Sequence, residues 1–287
     1  MPTPAPHRPE GEIARIKALL AAGGIVPFIG AGASKASDLP SSRELAKQWA
    51  TDYGFMDDEV NTTDLVDVAT AVAVYTTWHE VQDRLSKLFA PSRLPSYFHQ
   101  WLARQSQKLI VTTNYDCLIE QAFHAAGRSF HVVMPDLRER SPDAGLLWWR
   151  PRLAVEPVSR RDFNIFGLDE PVIYKLHGGV APDLRWQRAV VTEDDHFDIG
   201  GRIYARSLLP PSIGAFLSER SFLFVGYSLR DVHVRQLLFQ MQPYGGQSSF
   251  VVALRPARLD AARLHTLNFH TFDMSADAFA RLMEQPD

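Results

Sequence analysis

Four short apolar runs in this chain are each followed at once by a turn that carries polar chemistry. These turns are Gly30-Ala31-Gly32-Ala33-Ser34, Thr113-Asn114-Tyr115-Asp116, Lys175-Leu176-His177-Gly178-Gly179 and Gly226-Tyr227-Ser228-Leu229-Arg230-Asp231. The runs before them, such as Ile25-Val26-Pro27-Phe28-Ile29 and Ser221-Phe222-Leu223-Phe224-Val225, have the length and the β-branched or aromatic content of strands buried on both faces. Stretches with helical spacing separate them. That alternation predicts an α/β fold with a doubly wound, mostly parallel sheet covered by helices on both sides. The strands of such a sheet end at one crevice, so residues far apart in the chain can meet around a single ligand.

The segments between the turns fill in the frame. Residues 1–10 hold four prolines and little apolar content, so a flexible tail is expected there, with the folded domain over 11–287. Ile13, Ile16, Leu19 and Leu20 recur at helical spacing, and Gly23-Gly24 ends that helix. Ser41 and Glu44 have capping-box spacing. Leu65-Val68-Ala69-Val72 and Val81-Leu85-Leu88-Phe89 continue as helices, which places a helical insertion at about 38–106 over the sheet edge. Strands are expected from Lys108 to Thr113, Phe130 to Met134, Pro171 to Leu176, Ser249 to Leu254 and Phe269 to Phe272. Helices are expected from Asp116 to Ala126, around Ile213 to Leu217, through Val234, near Ala257 to Leu264, and at the end of the chain. Residues 135–170 show no sustained period and read as a long loop of the kind that serves as a lid, a binding loop or a partner surface. Trp148-Trp149 within it reads as a lid or interface anchor.

Composition narrows the function classes. With 46% hydrophobic residues in 287, the chain can bury a large core. A net charge of −3 gives no general attraction for phosphate backbones or anionic lipid, and no basic patch replaces it, so neither direct nucleic-acid binding nor membrane binding is expected. The single cysteine, Cys117, can close no intramolecular disulfide and reads as a small apolar packing residue. The other histidines lack metal-ligand spacing, so no metal is expected. There is no leader pattern and no 18-residue uncharged apolar run, which makes a cytoplasmic protein the expectation.

Each turn admits two readings. Gly30 and Gly32 let a backbone approach a pyrophosphate, with amides as donors, or they simply make a tight strand-to-loop turn. Lys35 stands where a dehydrogenase fingerprint needs glycine and no close helix start is expected, which disfavours hydride transfer. Asn114 and Asp116 suit ligand hydroxyls or a held water, or else an Asx turn that caps the next helix. His177 sits where a neutral imidazole can act as a base, or is an ordinary buried histidine. Gly226 repeats the strand-to-glycine turn, with Ser228 offering a hydroxyl and Asp231 either a ligand contact or a helix cap. Glu193, Asp194 and Asp195 read as a solvated acidic turn.

In this order the four motifs resemble the sirtuin-like NAD-consuming family, in particular its bacterial branch found in defence against phage. The resemblance spans about residues 20 to 254 and includes Val190-Val191-Thr192-Glu193-Asp194-Asp195. It implies a Rossmann-like fold. NAD is then the substrate, with its pyrophosphate at Gly30, Ala31, Gly32 and Ser34 and its adenosine side at Gly226, Ser228 and Asp231. Thr113 joins the binding set. Asn114 and His177 flank the nicotinamide ribose as catalytic residues, and Asp116 fixes that end. Protein-deacylating sirtuins carry a four-cysteine zinc ribbon that this chain lacks, so the resemblance favours an NAD glycohydrolase that depletes NAD in anti-phage defence.

The alternatives are an NAD-dependent protein deacylase and a non-catalytic module that senses NAD or ADP-ribose. The family implies control in trans, through a homo-oligomer or a partner such as a HerA-type ATPase or an Argonaute-like protein.

Overall fold

A computed structural model describes residues 9–89, 93–137, 145–151, 154–180, 188–227, 232–241, 248–256, 264 and 268–286. Strands β1 (Ile25–Ile29), β2 (Leu109–Thr112), β3 (His131–Pro135), β4 (Leu146–Trp149), β5 (Glu156–Val158), β6 (Val172–Lys175), β7 (Ser221–Val225), β8 (Ser249–Ala253) and β9 (Phe269–Asp273) form one nine-stranded sheet. Its order is β5-β4-β3-β6-β2-β1-β7-β8-β9. In that order every pairing from β3 across to β9 is parallel, and β4, near one edge, is the one strand that runs antiparallel to its two neighbours, β3 and β5.

Alternation of side chains along each strand divides the core into two layers. Val26 and Phe28 of β1, Leu109 and Val111 of β2, Val172 and Tyr174 of β6, and Phe222 and Phe224 of β7 face one layer. There they meet helices α7 (Glu193–Tyr204), α8 (Pro211–Ser218) and α9 (Val232–Met241). Ile25, Ile29, Ile110, Ile173, Leu223 and Val225 face the other layer, under α1 (Pro9–Ala21), α5 (Tyr97–Arg104), α6 (Leu118–Ala125) and α10 (Ala276–Met283). The sheet is therefore buried on both faces, as its uninterrupted apolar strands require.

Helices α2 (Ser42–Tyr53), α3 (Leu65–Tyr75) and α4 (Trp78–Phe89) form a third cluster. Ser41 caps α2 in a full capping box with Glu44. This cluster rests on Val180, Ala189, Val191 and Tyr115, which follow the central strands β6 and β2, and so lies over the strand ends instead of the sheet edge. Helix α5, expected to belong with it, packs into the sheet layer through Phe98, Trp101 and Leu102.

Three further expectations need correction. The segment read as a long loop at 135–170 carries β4, β5 and a 3-10 turn at Ile165–Gly167, elements too short to show a period. Trp148 and Trp149 are consequently strand residues. Trp148 packs edge-on against Phe163 at 5.6 Å and donates to His131 Nδ1, and Trp149 lies against Phe130. Glu193-Asp194-Asp195 is the first turn of α7. Asp195 is buried and completes a capping box with Thr192 while Arg188 pairs with it at 2.5 Å. A 3-10 helix, Ala31–Ser37, also begins directly after Gly30. The tail through residue 8 and most of the helix expected at Ala257 to Leu264 fall outside the described residues, whereas Pro9 already belongs to α1.

Candidate active site

The strands that precede the four motifs are consecutive neighbours at the centre of the sheet, in the order β6-β2-β1-β7. They are parallel, so their carboxyl ends lie along one edge. After β1 and β2 the chain passes to the α5 and α6 side, whereas after β6 and β7 it passes to the α7 and α9 side. Divergence of this kind is the topological switch point at which open parallel sheets bind ligands.

The first and fourth motifs interlock. Gly30 N donates to Val225 O and Gly32 N donates to Gly226 O, both at 2.9 Å. A Cβ on Gly30 or Gly32 would stand 2.8 Å from Gly226 O, and Gly226 itself has φ +75° with the Ala33 amide where its side chain would go. Mutual close approach of two backbones thus accounts for all three glycines, and it holds their loops at the rim of the crevice. Ala31, Gly32, Thr113 and Gly226 are at least partly exposed there. Ser228 and Asp231 lie outside the described residues.

Asn114 is buried, and its Nδ2 donates to Gly30 O at 3.2 Å and to Ser34 Oγ at 3.0 Å. A backbone carbonyl can only accept, so the amide is oriented by chemistry, with Oδ1 as the group left for a ligand. Ser34 Oγ passes the chain of hydrogen bonds to Asp116 Oδ2 at 2.8 Å. Asp116 Oδ1 accepts from Leu118 N at 3.1 Å at the start of α6. Each carboxylate oxygen thus has a partner within the protein, and Asp116 caps α6 and anchors Ser34.

His177 follows the neighbouring strand, β6. Thr112 and Lys175 are paired across β2 and β6, and Leu176 N extends the ladder to Thr112 O, so Asn114 and His177 each stand two residues beyond a matched pair. Val180 N donates to Tyr115 O and Tyr115 Oη to Val190 O, which ties the two loops together. Gly178, at φ +67°, lets the chain turn back so that Val190 N reaches His177 O at 3.0 Å.

Beneath the loops sits a buried ion pair. Lys175 Nζ donates to Glu120 at 2.9 Å and to the Asp116 carbonyl at 2.6 Å. Burial acts to lower the lysine's proton affinity, but the charge of Glu120 outweighs it with the help of Cys117 and Asp116, and the ammonium is held above its ordinary range. Cys117 donates its thiol to Val180 O, and burial pushes the thiol up to about 12. It is an inert packing residue, as its sequence context indicates.

Several residues here were not foreseen. A lone lysine in the apolar run Val172-Ile173-Tyr174-Lys175-Leu176 is a signal that a buried partner must exist, although Glu120 cannot be named from it. Tyr227, whose hydroxyl lies 2.9 Å from Thr113 Oγ1, and His196 and His233, which pack against His177, carry no sequence signal. Among the described residues no group of three or more His, Cys, Asp or Glu side chains is arranged to hold a metal ion, and no helix is long and apolar enough to cross a membrane.

The chain is 28% identical over 226 residues to the NAD(+) hydrolase ThsA of Cytobacillus dafuensis; the match covers 77% of the chain but only 38% of that relative's length. Among solved structures it is similar to Sir2Tm bound to a propionylated peptide, at 13% identity and a TM-score of 0.40, covering 94% of this chain and 96% of that one. A Sir2 complex with the inhibitor EX-527, 2'-O-acetyl-ADP-ribose and a deacetylated p53 peptide matches over the same shares at 14% identity and a TM-score of 0.43. The model of the SIR2-like domain matches residues 108–272, more than half of the chain and three of the four motif-bearing turns. With its central strands ending in these turns, the chain belongs to the SIR2-like domain family.

Proposed function

We propose that this protein is an NAD glycohydrolase, which cleaves the bond between nicotinamide and ribose and adds water to give nicotinamide, ADP-ribose and a proton. The observation that carries the reading is the adjacency of β6, β2, β1 and β7, whose carboxyl ends bring an amide, an imidazole and two glycine turns to one switch point. Membership of the SIR2-like family and the similarity to a relative named as an NAD(+) hydrolase support it.

The dinucleotide runs along the interlocked turns, with its pyrophosphate at the loop of Gly30, Ala31, Gly32 and Ser34 and its adenosine side toward Gly226, Ser228 and Asp231. Asn114 Oδ1 accepts from a ribose hydroxyl or from the attacking water and orients it. His177 takes a proton from that water or hydroxyl as the oxocarbenium-like centre is captured, a contribution of about 10²- to 10⁴-fold. Asp116 acts only through Ser34, by holding Asn114 in place.

The role proposed for this activity is depletion of NAD in anti-phage defence by a cytoplasmic protein, controlled by homo-oligomerisation or by a partner such as a HerA-type ATPase or an Argonaute-like protein. Incubation of the purified protein with NAD and chromatography of the products tests the chemistry. Nicotinamide and ADP-ribose should accumulate without added peptide, and neither should form with Asn114→Ala or His177→Ala. Turnover that requires an acyl-lysine peptide would make the protein a deacylase, and binding without turnover would make it a sensor.

A further inference from the structure

One face of helix α7 is apolar at its centre and open to solvent. Phe197 and Tyr204 are 68% and 89% exposed, and Gly201 between them is exposed with nothing within 4 Å of its missing Cβ. With 3.6 residues per turn, positions 197, 201 and 204 share one stripe, and Glu193 and Asp194 stand one turn before it. The opposite side of the helix, through Ile199 and Ile203, packs on the sheet. Two large exposed rings on one stripe mark an interaction surface, because aromatic residues concentrate where proteins meet.

The stripe is complementary to itself. Phe197 lies three positions before Gly200 and Tyr204 three after Gly201, so a two-fold axis at the Gly200-Gly201 pair brings Phe197 of each copy onto Tyr204 of the other. Gly201, with no side chain at the crossing, lets the two helices approach closely. Charge follows the same symmetry. The amino end is acidic: Glu193 and Asp194 are exposed, and burial together with the charges of Asp64 and Glu193 raises the carboxyl of nearby Asp67 on α3. The carboxyl end is basic. Arg206 is exposed just past the helix, Arg160 donates to its carbonyl at 3.1 Å, and Arg161 comes next, against the single charge of Asp162. Asp198, on the flank of the stripe, is paired within the helix to Arg202 at 3.0 Å. Antiparallel pairing sets each acidic end on the other copy's basic end, whereas parallel pairing would set like on like.

We propose that this face of α7 docks a second copy of the chain, antiparallel about a two-fold axis at Gly200-Gly201. An aromatic side chain buries about 150–250 Å², so the four rings of such a pair bury roughly 600–1,000 Å². That is below the ~1,200 Å² at which standard stable interfaces begin. The dimer is therefore a weak one, which dissociates on dilution and, because its ends are charged, in salt. It supplies a surface for the homo-oligomerisation proposed above, yet it stands on shape and charge and does not depend on the cleavage of NAD.

Sedimentation velocity of the purified chain over a concentration series tests it. The sedimentation coefficient should rise with concentration toward that of a dimer, and Phe197→Ser or Tyr204→Ser should raise the dissociation constant about tenfold or more. Arg206→Glu should also weaken the dimer. Asp194→Arg combined with Arg206→Glu should restore it, since each copy then carries both charges reversed. Gly201→Cys should give an intermolecular disulfide under mild oxidation, unlike Lys47→Cys, exposed on α2, and Cys117 with its thiol pushed up to about 12 does not compete. A chain that stays monomeric at every concentration would leave the face to a partner of another kind and overturn the proposal. So would a dimer unchanged by the serine variants and by the charge reversal. Nicotinamide release enters none of these readouts, so failure of the hydrolase reading and failure of this one are told apart.

Discussion

Nδ2 of Asn114 lies 3.0 Å from Oγ of Ser34, a bond that spans 80 residues and joins the loop after β2 to the loop after β1. Ser34 donates onward to Asp116, so its hydroxyl is the hinge of a three-residue chain in a buried place. Ser34→Ala leaves an amide hydrogen and a carboxylate oxygen short of one partner each. We expect a loss of about 1–3 kcal/mol in urea unfolding, together with slower nicotinamide release, because Asn114 is then held only by Gly30. Asn114→Asp should be worse on both measures, since a carboxylate facing the Gly30 carbonyl has no hydrogen to give.

Two glycines with similar backbone angles should respond very differently to the same change. Gly127, which ends α6 at φ +65°, has nothing within 4 Å of its missing Cβ, so Gly127→Ala should lower stability only by the strain of a left-handed alanine, about 1 kcal/mol. Gly226→Ala carries that strain and also forces a methyl into the Ala33 amide. Thermal unfolding should show a small shift for the first variant and loss of folded protein for the second.

The Lys175–Glu120 pair should be more sensitive to breakage than to removal. Either Lys175→Met or Glu120→Leu alone strands a buried charge, with an expected loss of about 3–5 kcal/mol. The double variant should recover much of that. Its activity should remain low even when folded, because the ammonium also holds the Asp116 carbonyl. Denaturant titration of the three variants, followed by turnover of those that fold, separates the two effects.

Acid should weaken the fold through His99. This ring is buried on α5 with Nδ1 bonded to Ser96, and burial lowers its proton affinity against the smaller pull of Asp116 and Asp277. An unfolded histidine protonates near pH 6.5, whereas the native one resists, so stability is full above that value and falls as the pH drops below it. The fall from pH 7.5 to 5.5, measured by chemical denaturation, should be smaller in His99→Leu than in the wild type.

Cys117 should not react in the native state. With its thiol pushed up to about 12, only about one part in 10⁴ is thiolate at pH 8. Alkylation by iodoacetamide should be negligible until the protein is unfolded in urea, when it should go to completion.

What the sequence determined by itself is seven of the nine strands, β1 to β3 and β6 to β9, and the chemistry at their ends. Runs such as Ile25 to Ile29 and Phe222 to Val225 are apolar at every position, and only a strand covered on both faces satisfies that pattern over so short a length. Ser41 and Glu44 set a helix start through two local hydrogen bonds, and local chemistry of that kind is visible without any fold. Tertiary structure decided the rest. Whether Asp116 meets a ligand or a neighbour depended on Ser34 arriving from 82 residues away, and Lys175 found Glu120 only because β6 lies beside β2. The strands β4 and β5 exist because β3 offers an open edge for pairing, a property of the assembled sheet and not of Leu146 to Trp149. The meeting of His177, His196 and His233 follows from α7 and α9 crossing the same face, since contacts between distant segments depend on the order of strands, which no local pattern of residues encodes.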